Sequence, residues 1–225
     1  MSEQFDQAFW DLLYESRPEI WSGNPNRGLV VEVDALPPGL ALDVGAGEGA
    51  DAIWLAGRGW RVTAVDISAV ALARAAIRAR RAGVEVAERI DWMHRDLMDW
   101  EPPRRHYELV SAHFFHLAPG PRQTLFGRLA SAVVEGGTLL VVGHSSRVFE
   151  GSPHDGSGHR SEGSMMPRDY FFSGDEIAAR LDPEEWDIVT NAEVERPGAN
   201  PEGPGHTHDN VLRAIRRRYR SQGAP

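Results

Sequence analysis

The 225-residue chain contains no cysteine. Disulfides, thiolate nucleophiles and thiolate metal sites are thereby excluded, and the redox compartment stays open on this count. Basic charge is also short. Against 33 Asp and Glu stand 24 Arg and Lys, a formal charge of −9. A nucleic-acid binder carries a basic footprint, so nucleic acid is not an expected partner. The one basic cluster, Arg213, Arg216, Arg217, Arg218 and Arg220, reads as a solvated tail. No stretch approaches the roughly 20 apolar residues of a membrane helix. Met1–Asp11 has neither the basic nor the apolar region of a secretory leader. These absences lead to an expected soluble, cytoplasmic protein without a membrane partner. No H-E-x-x-H spacing occurs, so His144, His154, His159, His206 and His208 read as solvated loop histidines, and no metal is expected.

What is present alternates between short apolar runs and helical patterns. Leu40–Val44, Arg61–Val65, Ile90–Met93, Tyr107–Ala112 and Thr138–Val142 read as five strands. Between them, Ala50–Gly57, Ala69–Ala82 and Pro121–Val134 read as helices, the last stopped by Gly136 and Gly137. That order predicts an α/β fold with a parallel, doubly wound sheet. Phe5–Tyr14 has a helical period, and Leu29–Leu36 reads as a short helix before Pro37. Asp175–Leu181 reads as a helix and Trp186–Val194 as a strand, whereas Val211–Ile215 fits strand or helix. Residues 1–225 read as one domain, with 1–38 a helical lead and 144–169 a long loop and candidate lid or substrate wall.

The stretch Leu40-Ala-Leu-Asp-Val-Gly-Ala-Gly-Glu-Gly49 carries the most chemistry. An apolar strand runs into three glycines at alternate positions, and a helix begins at once. Such a turn can offer backbone N–H groups to a bound cofactor. Gly45, Gly47 and Ala50 satisfy the dinucleotide pattern G-x-G-x-x-G/A, with Asp66 21 residues beyond Gly45. A dehydrogenase using a nicotinamide dinucleotide is therefore one reading. Three features favour an adenosyl cofactor. Asp43 puts a carboxylate where a pyrophosphate would come, which suits an ammonium and a sulfonium better. Gly49 adds a third glycine. Too little chain follows the fifth strand for a separate substrate domain.

Taken together, these segments resemble the class I S-adenosylmethionine-dependent methyltransferases. Residues 41–49 are similar to their first motif, 62–66 to the second, and His94-Arg-Asp-Leu97 to the acidic segment after the third strand. Residues 107–112 and 135–140 are similar to the motifs of the fourth and fifth strands. The resemblance covers about residues 5–145. The lead, with Phe9, Trp10, Asp11, Tyr14, Trp21, Gly23, Pro25 and Asn26, resembles the tellurite-resistance and thiopurine methyltransferase-like branch.

The resemblance implies a seven-stranded Rossmann-like sheet in the order 3-2-1-4-5-7-6, with strand 7 antiparallel. It implies S-adenosyl-L-methionine as cofactor. Gly45, Ala46 and Gly47 would hold the methionine part, and Asp43 would position its amine. Asp66, with Ile67 beside it, would hold the ribose. Asp96 and Leu97 would meet the adenine, and Ser111–His113 would pass the transferring methyl. Trp21 is a further candidate cofactor contact. Trp10, Tyr14 and Trp21 would stack on the cofactor or staple the first helix, and the sequence leaves both open.

In methyl transfer the sulfonium is already an activated leaving group, so holding the reactants in line supplies much of the rate. A base is required only for a nucleophile that arrives protonated. His113 and His116 are the candidates, since imidazole titrates in the useful range. Nucleobase amino methylation would call for Asn/Asp-Pro-Pro-Tyr/Phe after the fourth strand, where this chain has Ser111-Ala-His-Phe114. Cytosine carbon-5 and arsenite methylation lean on cysteines. The expected substrate is a small molecule with an oxygen, nitrogen, sulfur or chalcogen nucleophile. A dehydrogenase and a non-catalytic S-adenosylmethionine-binding module are the alternatives.

Overall fold

The computed structural model describes residues 5–115, 117–145, 167–196 and 207–219. Seven strands form one sheet in the order β3-β2-β1-β4-β5-β7-β6. They are β1 (Leu40–Val44), β2 (Arg61–Asp66), β3 (Ile90–His94), β4 (Tyr107–His113), β5 (Val133–His144), β6 (Trp186–Glu195) and β7 (His208–Arg216). The first five pair in parallel, and β7 enters antiparallel between β5 and β6. The strand order implied by the resemblance is thus the one found, and the undecided Val211–Ile215 segment is strand.

Continuous apolar strands are explained by cover on both faces. Leu42, Val44, Val110, Ala112, Leu139 and Val141 face one core. Their neighbours Ala41, Leu109, Leu140 and Val142 face the other. Helices α2 (Arg27–Val33) and α3 (Ala50–Gly57) pack on the second face through Leu29, Val33, Ala52 and Leu55. Helix α6 (Pro119–Ala132) packs on the first through Leu125, Phe126 and Leu129, with α7 (Gly174–Ala178) contributing Ile177. Helices α1 (Gln7–Glu15), α4 (Ala69–Ala82) and the short α5 (Val84–Ala87) complete the described set.

Local chemistry sets the helix starts. Asp6, Asn26, Ser68 and Ser173 cap α1, α2, α4 and α7 through side-chain oxygens that accept from amides in the first turn. Gly49, at φ +82°, starts α3 in the left-handed region. A Cβ there would lie 2.6 Å from Trp92 and 2.8 Å from Ala75 Cβ. Glycine is required at this position by both dihedral and space.

Two expectations need correction. Gly136 and Gly137 do not separate helix from strand, because α6 ends at Ala132 and β5 starts at Val133. Gly136, at φ +80°, instead serves an irregularity, where the β4–β5 register shifts between Tyr107 and Leu109. The basic cluster is not a solvated tail as far as residue 216, because Arg213 and Arg216 lie in β7, whereas Arg217 beyond it is exposed. Arg216 is buried, 2.6 Å from Glu185, and its guanidinium lies over Trp186. Arg213 faces Glu32 at 3.6 Å, and Arg217 meets Asp187 at 2.7 Å. Arg220 is outside the described residues, as are residues 146–166 of the long loop.

Candidate functional site

Strand order reverses between β1 and β4, and a crevice opens there at the C-terminal ends of the strands, the usual ligand position in open α/β sheets. Its volume is about 910 Å³. The strands deliver Asp43, Asp66 and His113 to it, and the lead segment covers it with Trp10, Tyr14 and Trp21.

The glycine turn is arranged differently from the sequence expectation. Its amides point inward. Gly45 and Ala46 N–H both donate to the Val65 carbonyl, at 2.9 and 3.0 Å. Gly47 N–H donates to Asp66 Oδ2 at 2.8 Å, and Gly49 N–H to the Ala46 carbonyl at 2.8 Å. The bend therefore gives the crevice bare Cα atoms rather than a row of donors. Gly45 (φ +71°) lies against Phe115, with a Cβ reaching to 2.8 Å. Gly47 (φ +52°) lies against the Tyr14 hydroxyl, with a Cβ reaching to 2.9 Å.

Carboxylates dominate the turn. Asp43 is 2% exposed, and its Oδ2 has no hydrogen-bond partner among the described residues. Burial, reinforced by the nearby Asp51 carboxylate, pushes Asp43 up to about 7, with His113 opposing the shift. Asp66 is raised by burial, against the amides of Ser68 and Gly47 that it accepts. Its cap-like bond from Ser68 N–H coexists with Ser68 capping α4, so both residues serve the same helix start. Asp96 and Leu97 line the crevice, and Asp96 Oδ1 accepts from Met98 N–H at 2.8 Å. Ala46 and Ile67 also line it.

Ser111 is not among the lining residues. It is fully buried beside Asp43 in the β1–β4 register, with its hydroxyl 3.4 Å from the Leu42 carbonyl. Trp21 lines the crevice while half exposed, and its indole N–H donates to the Tyr14 hydroxyl at 3.1 Å. This bond joins two residues of the lead to each other, and both rings lie at the crevice wall. His116, with His154, His159 and His206, lies outside the described residues. Among the described residues, no three His, Asp or Glu side chains converge as a metal cage. No helix among them is long and apolar enough to cross a membrane.

Sequence reading missed two acids. Glu48, inside the glycine turn, is 2% exposed. Its Oε2 accepts the Ile20 and Trp21 amides, both at 3.2 Å, while Arg74 and Arg78 approach Oε1 at 3.4 and 3.5 Å. It fastens the lead to the turn. Asp51, in the first turn of α3, has Oδ2 2.6 Å from His113 Nδ1 and accepts Asn26 N–H on Oδ1 at 2.6 Å. Its position beside the glycine turn was the available signal, since residues there face the strand ends. The partner of each acid is distant in sequence.

Known proteins share this architecture. Residues 41–137 match a family described as "Methyltransferase domain". An uncharacterized methyltransferase of Mycobacterium tuberculosis is 36% identical over 127 residues, covering 54% of this chain and 59% of that protein. A probable thiol methyltransferase of Arabidopsis thaliana is 28% identical over 138 residues, covering 59% of this chain and 60% of that protein. The chain thus spans about three fifths of the length of the curated relatives it matches. A solved Burkholderia thailandensis 1,6-didemethyltoxoflavin-N1-methyltransferase, with bound 1,6-didemethyltoxoflavin and S-adenosylhomocysteine, superposes with a TM-score of 0.64. It is 19% identical and covers 94% of this chain and 87% of that one. Over residues 41–137 the chain is thus similar to the methyltransferase-domain family, and its seven-stranded sheet is a fold it shares with that solved methyltransferase.

Proposed function

We propose that the chain is an S-adenosylmethionine-dependent methyltransferase that moves a methyl group to an oxygen, nitrogen, sulfur or chalcogen nucleophile of a small molecule. The observation that carries this reading is the charge of the glycine turn. Its amides at 45, 46, 47 and 49 are committed inside the protein, and Asp43 and Asp66 flank it. A pyrophosphate would find two carboxylates there and few donors, which counts against the dinucleotide alternative. A cationic amino-acid moiety fits, because Asp43 holds a buried oxygen without a partner. The relative solved with S-adenosylhomocysteine and a small heterocycle supports the same pairing of ligands.

When bound, the cofactor supplies a methyl group already activated on a sulfonium. The remaining work falls to the chain. Asp43 accepts the ammonium, and Asp66 the ribose hydroxyls, in addition to the amides it already holds. Asp96 and Leu97 meet the base. Trp10, Tyr14 and Trp21 close the crevice from the lead side and keep water out. The acceptor enters from the other end, where Phe114, His144, Tyr170, Phe171, Arg196 and Asp209 line the wall. Orientation of the two reactants by these walls is the main source of rate. We assign the 144–169 loop, of which residues 146–166 lie outside the described residues, to the acceptor wall within a single domain over residues 1–225. The acidic charge fits an enzyme that does not act on nucleic acid, and we assign it to the cytoplasm.

Equilibrium binding tests the reading. S-adenosylhomocysteine should bind and NAD should not, and S-adenosylmethionine should be consumed with a panel of phenols, thiols and amines. Binding of NAD in place of S-adenosylhomocysteine, or of neither, refutes it. Cofactor binding without turnover of any acceptor favours the non-catalytic module.

A further inference from the structure

The cofactor contacts leave one polar pair in the crevice without a task. Asp51 Oδ2 lies 2.6 Å from His113 Nδ1, and the His113 side chain is 5% exposed. A carboxylate only accepts, so this contact places the imidazole hydrogen on Nδ1 and leaves a lone pair on Nε2. Nε2 is buried and has no hydrogen-bond partner among the described residues, and His113 lines the crevice. Buried polar atoms are almost always paired, so an exception at a ligand site marks a place for a ligand donor.

The pair is held rigidly. Asp51 sits in the first turn of α3, where the helix dipole favours an anion, and its second oxygen accepts Asn26 N–H. His113 ends β4, with Phe114 following at φ +52°. That strained bend turns the Phe114 ring onto His144, 4.3 Å between centroids. The crevice that His113 lines also has Phe114, Phe115, Leu117, Tyr170 and Phe171 in its wall.

We propose that Asp51 and His113 form the general base of the transfer, and that the acceptor they serve is a hydroxyl group on an aromatic ring. The proposal rests on the methyl-transfer reading above. Apolar and aromatic walls hold an arene. The lone pair on Nε2 faces a nucleophile that arrives with its proton. A phenolic hydroxyl, with an ordinary pKa of about 10, is largely protonated at neutral pH yet within reach of imidazole. A thiol, at about 8.5, supplies its own anion with little help. In the step, the hydroxyl oxygen forms the new O–C bond. The carbon–sulfur bond breaks, and its electron pair stays on sulfur. The hydroxyl proton passes to Nε2, and the resulting imidazolium is held by Asp51 until the proton leaves to solvent. Atoms and charge balance without a further reactant. Asp51 is a positioning residue, since it acts through His113. Among the described residues, the other titratable or charged groups near His113 include Asp43 from β1 and, beyond Phe114, His144 from β5, Asp209 from β7 and Arg196 just after β6.

Two measurements test the proposal, and the first needs no substrate. Long-range ¹H–¹⁵N NMR of the histidine-labelled protein should show His113 protonated on Nδ1 and bare on Nε2 at neutral pH. Asp51→Asn presents an amide donor to Nδ1 and should reverse that tautomer. A wild-type signal from the Nε2–H form overturns the proposal. The second measurement uses phenol, 4-nitrocatechol, thiophenol and benzylamine as acceptors and follows S-adenosylhomocysteine formation. The wild type should prefer the hydroxyl compounds. His113→Gln should lose about 100-fold or more in kcat on phenol at pH 7 while keeping its affinity for S-adenosylhomocysteine. The loss should shrink for the more acidic 4-nitrocatechol. Thiophenol or benzylamine outrunning both hydroxyl compounds, or an undiminished rate in His113→Gln, overturns it. Loss of S-adenosylhomocysteine binding by the wild type would instead refute the methyltransferase reading, leaving the tautomer result to stand by itself.

Discussion

Asp43, one residue before the end of β1, and Asp66, at the end of β2, both line the crevice, yet they behave as different chemical groups. Asp66 has both oxygens engaged by amides, whereas Asp43 keeps one oxygen bare in a buried place. For Asp43 the folded value, about 7, lies above the ordinary 3.8, so the ligand-free fold holds a proton that the unfolded chain releases. Its stabilising effect is complete below about pH 4 and is lost as pH rises through about 7. An ammonium beside it requires the carboxylate, so binding expels that proton. S-adenosylhomocysteine affinity should therefore rise between pH 5.5 and 7.5, by up to about tenfold per unit. Calorimetry in buffers of different ionisation enthalpy should show the released proton. In Asp43→Asn the slope should vanish, and a flat wild-type profile would remove Asp43 from the ammonium site. Asp66→Ala should weaken S-adenosylhomocysteine binding by about tenfold to a hundredfold, since a hydrogen bond to a charged group contributes about 1.5–3 kcal/mol. It also strips an acceptor from the Gly47 and Ser68 amides, so the folded fraction has to be checked by circular dichroism. Unchanged affinity in a folded variant would discard the ribose assignment.

At the scale of elements, β1, the glycine turn and α3 could be read from residues 40–57 alone, because apolar run, turn and helix are adjacent in the chain. The same holds for α4, whose cap Ser68 and stop Gly83 border the pattern. Legibility failed where a contact joins distant segments. Nothing local marks Glu48, and only the fold brings Ile20, Trp21, Arg74 and Arg78 around it. Asp51 and His113 lie 62 residues apart, so no local spacing announces them. Gly136 carried a true signal, a positive φ, but the wrong boundary was drawn from it, since a bulge and a helix stop share that requirement. Arg213 and Arg216 looked like tail because charge was read without the alternation that places them in β7. The Glu48 fastening carries its own prediction. Glu48→Gln keeps the shape but removes the charge that draws two amides and two guanidiniums together. Amide exchange at Ile20 and Trp21 should accelerate, with a loss of about 1–2 kcal/mol in global stability by urea unfolding. Unchanged protection at those two amides would mean that the lead is held by its aromatic contacts alone.

Across the whole molecule, the crevice draws on residues from nearly the full length of the described chain. The lead contributes Trp10 and Trp21, β1 Asp43, β4 His113, β6 Glu195 and β7 Asp209 and Val211. β7 is last in sequence yet lies between β5 and β6, so this half of the sheet joins segments distant in the chain. The complete wall therefore exists only in the assembled sheet. A ligand filling the crevice binds the folded state and not the unfolded chain, so its binding energy appears as global stability. At a concentration one hundred times its dissociation constant, S-adenosylhomocysteine should add about 2.7 kcal/mol. For a chain of this size each kcal/mol raises the thermal midpoint by about 2–4 °C, which gives an expected shift of about 5–10 °C. NAD at the same concentration should give none. Asp66→Ala should shrink the S-adenosylhomocysteine shift at that fixed concentration, whereas Glu48→Gln, which acts on the lead, should lower the midpoint of the free protein more than it lowers the shift. A midpoint raised by NAD and not by S-adenosylhomocysteine would overturn the assignment of the crevice, because the same sheet and the same glycine turn would then be serving a dinucleotide.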